Sequence, residues 1–384
     1  MTWQEEVIAH RRALHQIPEL GFQENKTHAY LMNALQEMGL DPVVHKTGIS
    51  ADIDSSRPGR TIALRADMDG LPLQEETGLS FASTHPGVMH ACGHDGHMAI
   101  LLGTAARLIK ERDQWAGRVR ILFQPAEELP PGGALDLIAS GLLDGVDEVL
   151  GLHLWSEYPV GTARVAPGPM MANADSFIIR VSGRGGHGSQ PEATKDAVLI
   201  AAQIVVNLQT IVSRRVGAFE PAVVTCGTIK AGTTFNIIAE SAEVSGTVRT
   251  FSTETQDLIE REIRHIAKTT ASLYDATADV KFMRGYPVVV NDTGSAERWA
   301  RAIEGTVTLK DDHPSMGGED FAYYLHHRPG AFLFLGCAPE GEIFPHHSPH
   351  FLVNEASLPV GVDVLYKGAE SALAPAATHA LQRP

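Results

Sequence analysis

The chain has 384 residues, more than one compact core usually holds, so its length favours two domains. The formal net charge is −15 and no basic stretch offsets it, which argues against nucleic acid or an anionic membrane as a partner. Three cysteines, Cys92, Cys226 and Cys337, are too scattered for a disulfide framework, and no transmembrane span is predicted. The amphipathic start MTWQEEVIAHRRALHQIPEL lacks a signal-peptide core, so a cytoplasmic protein is expected.

Strands alternate with helices through the first 172 residues. Apolar periodicity predicts helices at 3–16, 26–39, 97–111 and 132–141, and β-rich runs predict strands at 41–47, 50–54, 61–69, 119–124 and 148–155. This alternation predicts an α/β domain with a mostly parallel, buried sheet.

The pattern changes after residue 172. Residues 173–285 spell strand, helix, strand, strand, helix, strand, which is the ferredoxin-like βαββαβ order, and they carry no cluster of ligand-type side chains. The first pattern returns from 286 to 384, with a helix near 295–305, another through 319–327, a strand at 331–336 and a final helix after 355. We therefore expect a discontinuous α/β catalytic domain, 1–172 and 286–384, interrupted by a smaller inserted domain at 173–285.

The segment HACGHDGH at 90–97 is the densest concentration of metal-ligand residue types. Imidazole and thiolate are good ligands for a divalent metal, and the glycines allow a turn that points Cys92 and His94 at one spot. Further candidates follow other elements of the α/β pattern: Glu127, Glu128, His153, His346, His347 and His350. A buried histidine, a solvated Glu pair and a small buried cysteine each have ordinary structural explanations. Their coincidence at strand ends favours a metal site.

The adjacent carboxylates Glu127 and Glu128 indicate the chemistry of such a site. Successive side chains at a strand end point in opposite directions. One carboxylate can then bind a metal while the other removes a proton from the attacking water. The residue spacing alone leaves both His94 and His97 as candidate ligands, because i and i+3 share one helix face.

Several motifs in fixed order resemble those of the M20 metallopeptidase clan, in its amidohydrolase branch. They are HRRALHQIPELGFQE, ALRADMDGLP, HACGHDGHMAILLG, LFQPAEE, GLHLW, GRGGHGS and HHSPHF. This branch contains hippurate hydrolases, N-acyl-amino-acid amidohydrolases and plant auxin-conjugate hydrolases. The resemblance covers essentially the whole chain. It implies a two-metal catalytic domain and an inserted lid domain that also forms a dimer.

The resemblance assigns roles within the catalytic domain. The implied metal ligands are Cys92, His94, Glu128, His153 and His347, and the implied general base is Glu127. His346 holds a position that the family often fills with an apolar residue. His90, Asp95 and His97 are expected to orient ligands rather than to bind metal.

The resemblance also assigns substrate contacts. In the family, the positions of His187 and Asn236 reach toward the substrate carbonyl or carboxylate, and His187 does so in the partner subunit's site. Arg249 is a candidate carboxylate clamp, with a solvated strand residue as the equal alternative. Glu319 and Asp320 lie in a motif near the family's substrate pocket, or they are helix-capping acids.

The implied activity is hydrolysis of the amide bond of N-acyl or N-aroyl amino acids. A water that bridges two divalent ions would attack the acyl carbonyl, with Glu127 as general acid and base. Dipeptidase, carboxypeptidase and N-acetyl-amino-acid deacetylase activities fit the same ligands. Two other hypotheses are a hydrolase with Cys92 as nucleophile and a non-catalytic metal-stabilised protein.

The expected cofactors are two divalent ions per subunit, with Zn or Mn favoured over Co or Ni. The expected partners are a small N-acyl amino acid substrate and a second copy of the chain, giving a homodimer or a higher homo-oligomer through the lid domain. The sequence does not choose the acyl group or the amino acid, because fold and ligands are shared across substrates.

Overall fold

The structure is a computed structural model that describes residues 1–374, and the chain divides into two compact units. The first unit comprises Met1–Met170, Val290–His313 and Asp320–Pro384, the last of these described to residue 374. The second unit comprises Met171–Val289 and Pro314–Glu319.

The elements follow each other closely along the chain. Residues 1–171 form α1 (Trp3–His15), α2 (Asn25–Glu37), β1 (Val43–His45), β2 (Gly48–Asp54), β3 (Thr61–Asp67), α3 (His94–Lys110), β4 (Arg118–Gln124), α4 (Ala134–Ala139), β5 (Glu148–Trp155), β6 (Thr162–Arg164) and β7 (Gly168–Met171). Residues 172–288 form β8 (Ala174–Ser182), β9 (Gly186–His187), α5 (Ala197–Leu208), α6 (Thr210–Arg214), β10 (Ala222–Ala231), β11 (Ile237–Ile238), β12 (Ser241–Thr250), α7 (Thr253–Ser272) and β13 (Thr277–Tyr286). Then come β14 (Val289–Asn291), α8 (Thr293–Ala302), β15 (Thr308–Leu309), α9 (Ala322–His327), β16 (Gly330–Gly336) and α10 (Ser357–Leu373).

The first unit is built on an eight-stranded sheet in the order β1-β2-β4-β3-β5-β16-β6-β15. The four central strands, β4, β3, β5 and β16, run parallel to one another, and β1, β2 and β6 join through antiparallel pairings. The central strands are almost wholly buried, which is why they read as continuous apolar runs. The predicted α/β fold with a mostly parallel sheet is confirmed.

Helices α1, α3 and α10 pack together in the first unit, and α3 carries the HACGHDGH motif at its start. Gly93 caps α3 at φ 91°, a left-handed conformation that glycine adopts without strain. The helix therefore begins at His94, three residues before the predicted start. Further along, Gly103 lets α3 approach its neighbours, since a Cβ there would lie 2.6 Å from a methyl of Val7.

The second unit is an antiparallel four-stranded sheet in the order β10-β12-β8-β13, and helices α5 and α7 pack against it. Its core is apolar and includes Phe177, Ile179, Ile200, Val244 and Ile263. The short strands β9 and β11 form a separate antiparallel pair that the sequence did not predict.

The apolar stretch at 195–215 is the first helix in the order predicted for the inserted domain. In the structure it forms two helices, α5 and α6. Asp196 starts α5 by accepting hydrogen bonds from the backbone of Val198 and Leu199. Residues Ala197–Arg214 have the length and hydropathy of a membrane-spanning helix, a composition that a core helix shares. One face of α5, including Ile200 and Ile204, is fully buried in the second unit's core.

Candidate metal centre

Three neighbouring parallel strands and the start of α3 supply the cluster. Strand β3 ends in Asp67 and is followed by Asp69, β4 leads into Glu127 and Glu128, and β5 carries His153 near its end. Because the carboxyl ends of parallel strands share one edge of the sheet, these side chains converge there.

The five predicted ligands fall into two donor groups that share Cys92. One contains Cys92, His94 and His153, and the other contains Cys92, Glu128 and His347. Within each group the ligand atoms lie within 4.8 Å of one another. The Cys92 Sγ is 3.4 Å from His153 Nε2, and Glu128 Oε1 is 3.0 Å from His347 Nε2. The cluster thus offers two adjoining sites joined by one thiol.

Glu127 lies beside the same cluster. Its carboxylate, Glu128 and His94 form a third group of donor atoms within 4.8 Å of one another. The Glu127 side chain belongs to neither of the groups that share Cys92.

The charges around the cluster favour a cation. Burial lowers the pKa of His94, but the carboxylates of Asp67 and Asp69 outweigh it and raise that pKa to about 10. Burial raises the pKa of the Cys92 thiol well above its usual value, and Glu128 and Glu127 raise it further. The cluster therefore contains more carboxylates than positively charged groups, which favours the binding of a cation.

The donor set fits divalent metal ions. Thiolate, imidazole and carboxylate are ligands of zinc and of other first-row divalent metals. Within residues 1–374 the buried Nε2 of His94 has no hydrogen-bond partner. A buried polar atom without a partner is costly, and a coordinated ion satisfies it.

Two buried carboxylates accept hydrogen bonds from the backbone of the Glu127–Glu128 segment. The sequence motifs did not predict this role. Asp69 accepts hydrogen bonds from the backbone N–H of Glu127, at 3.1 Å, and of Glu128, at 2.9 Å. Glu24 accepts the N–H of Ala126, at 2.8 Å, where the backbone turns through φ 54°. Three consecutive peptide N–H groups are thus fixed. Both acids lie in quoted motifs, which was the available signal.

His97 has no ring nitrogen left for a metal. Its Nδ1 donates to Asp67 Oδ1 at 2.6 Å, and its Nε2 accepts the backbone N–H of Leu154 at 2.9 Å. Asp67 is itself paired with the buried Arg65 at 2.7 Å. Asp67, His94 and His97 do offer donor atoms within 4.8 Å of one another, but the two hydrogen bonds of the His97 ring disfavour it as a second ligand.

The other candidate polar residues around the cluster have different surroundings. Asp95 accepts hydrogen bonds from Arg11 and His15 of α1, each at 2.8 Å. His90 is buried, and burial lowers its pKa to about 4. His350 lies at the surface, 3.4 Å from Glu76.

The remaining predicted residues occupy different environments. His187 and Asn236 are neighbours in the second unit, because β9 pairs with β11 and Gly188 N–H donates to the Asn236 carbonyl at 2.9 Å. Both side chains are exposed. Arg249 stands at the far end of β12, about 26 Å from its start by strand geometry. Its guanidinium donates to the backbone carbonyls of Val248 and Asp175.

Asp320 has a structural setting in the first unit. It accepts hydrogen bonds from Arg65, from Gln124 and from the backbone N–H of Ala134, the first residue of α4. Glu319 is buried in the second unit. Asp320 thus acts as a helix-capping acid, which was one of the two alternatives. The helix that it caps is α4 rather than the nearby α9.

A centre in which two donor groups share a thiol, at the carboxyl edge of an α/β sheet, is of the kind that dinuclear metallohydrolases use. Comparison with known families supports this class. The model of peptidase family M20/M25/M40 matches residues 63–371.

Relatives match over nearly the whole chain. It is 41% identical over 377 residues to an N-acetyl-L-cysteine deacetylase of Bacillus subtilis (strain 168), covering 97% of this chain and 89% of that protein. It is 47% identical over 316 residues to an N-acyl-L-amino acid amidohydrolase of Geobacillus stearothermophilus, covering 80% and 85%. The crystal structure of the Bacillus subtilis YXEP protein, described as a dinuclear metal binding peptidase from the M20 family, superimposes with a TM-score of 0.85 at 36% identity, covering 97% and 98%.

The chain belongs to peptidase family M20/M25/M40, and the resemblance inferred from its motifs is confirmed. It is a hydrolase of the metal-dependent, amide-cleaving kind.

Proposed function

We propose that this chain hydrolyses the amide bond of N-acyl amino acids, releasing a carboxylate and a free amino acid. The observation that most supports this proposal is that two donor groups share the thiol of Cys92 and that Glu127 lies beside them. The named activities of the two relatives support this substrate class. The deacetylase relative favours small acyl groups such as acetyl as a second candidate within the same chemistry.

Cys92, His94, Glu128, His153 and His347 would hold two divalent ions. When bound, such ions polarise the amide carbonyl and lower the pKa of water. Glu127 takes the proton from the attacking water and later donates it to the leaving amine nitrogen. Asp69 and Glu24 hold the peptide groups on either side of this carboxylate, so its position is set before substrate arrives.

We propose Zn²⁺ or Mn²⁺ as the favoured ions. A thiolate, three imidazoles and a carboxylate suit Zn²⁺, and Mn²⁺ is the second choice because it accepts carboxylate donors. Co²⁺ and Ni²⁺ fit the same donors, so loading in the cell depends on availability.

We assign residues 1–172 and 286–384 to catalysis and 173–285 to a ferredoxin-like lid domain through which two chains associate. The supporting observation is that the second unit exposes large apolar side chains. Val206 of α5 is 62% exposed, and Ile229 of the edge strand β10 is 51% exposed. Edge strands pair readily with a second copy, and a closed dimer is the commonest result.

The exposed pair His187 and Asn236 is proposed to contact substrate. Both side chains are exposed, and the His187 ring nitrogen Nδ1 is hydrogen-bonded to Ser189 of the same turn. We propose that His187 polarises the substrate carbonyl in the partner subunit's site. Arg249 is a weaker candidate, because its guanidinium already binds backbone carbonyls.

The alternative with Cys92 as nucleophile is disfavoured by its surroundings. Thiol nucleophiles need a depressed pKa, whereas burial and carboxylates raise that of Cys92. For the non-catalytic alternative, Glu127→Gln discriminates: that variant should bind metal normally and lose turnover. A cytoplasmic location stays our proposal.

The direct test is hydrolysis of N-acetyl, N-benzoyl and longer N-acyl amino acids by purified protein, before and after chelation. We expect turnover that stops on metal removal and returns on adding Zn²⁺ or Mn²⁺. Undiminished turnover by metal-free protein would contradict the proposal. A dipeptide panel measures the peptidase alternative alongside.

A further inference from the structure

The backbone N–H and the backbone carbonyl of Leu154, next to the proposed ligand His153, are hydrogen-bonded to three histidines. Its N–H donates to His97 Nε2 at 2.9 Å. Its carbonyl accepts from His153 Nδ1 at 2.7 Å and from His346 Nε2 at 2.9 Å. A carbonyl oxygen has two lone pairs, so both bonds form at once.

One side of this arrangement is rigid. His97 is fixed by Asp67, and helix α3 lies close to Leu154 because residue 96 is glycine. A Cβ at Gly96 would come within 2.4 Å of the Leu154 Cδ1 atom. Strand β5, which carries His153, and helix α3, which carries His94, are therefore held in a fixed position relative to each other.

The other side depends on His346. Its ring packs against three aromatic rings, with centroids 5.2 Å from His153, 5.0 Å from Trp155 and 4.9 Å from Phe351. The next residue is the ligand His347, which takes a left-handed conformation at φ 65° and donates its N–H to Ala91 at 2.8 Å. A left-handed non-glycine residue needs its neighbours to hold it in place.

We infer that His346 is a positioning residue that ties the two donor groups together, an inference that rests on the proposed dinuclear site. His153 belongs to one group and His347 to the other, and the hydrogen bond from His346 to Leu154 joins their chain segments. The same carbonyl also fixes the ring of His153, since its Nδ1 carries the donated proton and its Nε2 faces Cys92.

Two substitutions separate the hydrogen bond from the packing. His346→Phe keeps an aromatic ring and removes the donor, whereas His346→Gln keeps an N–H donor and removes the ring. The control is His10→Phe on α1, which removes a histidine bonded to Tyr30 away from the cluster. Metal-free protein is titrated with Co²⁺, and the affinity of each ion and the visible absorption spectrum are recorded.

We expect His346→Phe to bind Co²⁺ about 10-fold more weakly at one or both sites, with a shifted spectrum, as is typical when a residue supporting a ligand is lost. His346→Gln should restore affinity and spectrum toward the parent values, and His10→Phe should match the parent. Equal behaviour of the Phe and Gln variants, whether both normal or both impaired, would overturn the inference. If the parent protein fails to take up two ions, the proposed dinuclear site fails instead.

A measurement on the unaltered protein covers the case in which His346→Phe does not fold. In ¹⁵N-histidine-labelled, Zn²⁺-loaded protein, NMR should find His346 protonated on Nε2 and His153 on Nδ1. The opposite tautomer at either ring would overturn the inference.

Discussion

Both units have an apolar core, but the first also buries many more charged and ligand-type groups than the second. The first places charged and ligand-type groups in its interior, among them Arg65, Asp67, His94 and Asp95, all at most 2% exposed. The second has an apolar core, and its ion pairs, such as Arg180 with Glu243, lie at the surface. Surface pairs contribute little to stability, whereas buried charges are costly unless they are paired.

This difference indicates that the first unit accepts a lower stability in order to hold the charged groups of the proposed site. In the first unit, buried charges such as Arg11, Arg65 and Asp95 are paired, whereas the buried Nε2 of His94 has no hydrogen-bond partner among residues 1–374. In the second unit, the residues proposed to contact substrate, His187 and Asn236, are exposed and lie outside the apolar core. The first unit is therefore expected to lose metal and activity when altered, and the second to keep its fold when its exposed residues change.

The largest expected effect is on turnover. Glu127→Gln should lower kcat by about 10²–10⁴-fold, because the amide cannot accept the proton of water. Metal content, measured by elemental analysis, should stay at the parent value. Glu37→Gln, an exposed carboxylate of α2, is the control and should be fully active. Normal turnover by Glu127→Gln would remove Glu127 from the mechanism.

The second unit is tested by complementation. His187→Ala should fold normally, since its side chain is exposed, and should lose about 10²-fold or more in kcat if it polarises the carbonyl. Mixing it with Glu127→Gln should restore activity after subunit exchange, because one site in a mixed dimer then carries neither change. Absence of recovery, with mixed dimers shown by mass spectrometry, would contradict action in the partner's site.

The shared thiol is tested by metal affinity. Cys92→Ser replaces a soft ligand and should weaken Co²⁺ binding by more than about 10-fold while abolishing the thiolate-to-cobalt charge-transfer band. Cys226→Ser, in the second unit, is the matched control. Retention of the band in Cys92→Ser would show that another group binds the metal.

The backbone clamp should affect stability and turnover together. Glu24→Ala leaves the Ala126 N–H without its acceptor and should lower the free energy of unfolding by about 1–3 kcal/mol. Glu24→Gln keeps an acceptor oxygen, so its free energy of unfolding should fall less than that of Glu24→Ala. Urea unfolding and kcat are the measurements, and an unchanged kcat in Glu24→Ala would separate the clamp from catalysis.

The smallest effect concerns pH. Burial raises the pKa of Glu75, but hydrogen bonds from His15, Thr77 and Ser83 outweigh it and lower that pKa from 4.5 to about 2. A lowered folded-state pKa stabilises above the unfolded value and loses that stabilisation as the pH falls. The difference in unfolding free energy between the parent and Glu75→Gln should therefore be full above pH 4.5 and shrink toward pH 2. Exposed Glu76→Gln is the control, and a difference that grows in acid would contradict this account.

Much of the fold was predictable because its signals are local. The apolar run of β5 and the periodicity of α7 match the structure within a few residues. The two-residue strands β9 and β11 were missed, since strands this short carry no periodicity. The interruption after Leu208 was also missed, because α5 and α6 have one continuous apolar composition.

The site divides in the same way. The five proposed ligands were indicated by residue types and by the family motifs. The roles of Asp69, Glu24 and the bond from His346 to Leu154 were not, although both acids lie in quoted motifs, because they act through backbone groups whose positions depend on the tertiary fold. Residue type alone cannot indicate which carbonyl a histidine will reach.

The central claim is that one thiol joins two metal sites. The most direct measurement is an anomalous difference map from crystals of the Zn²⁺-loaded protein. The account predicts two peaks per chain, each about 2.3 Å from Cys92 Sγ, one beside His153 and the other beside His347. A single peak, or two peaks that do not share Cys92, would contradict it.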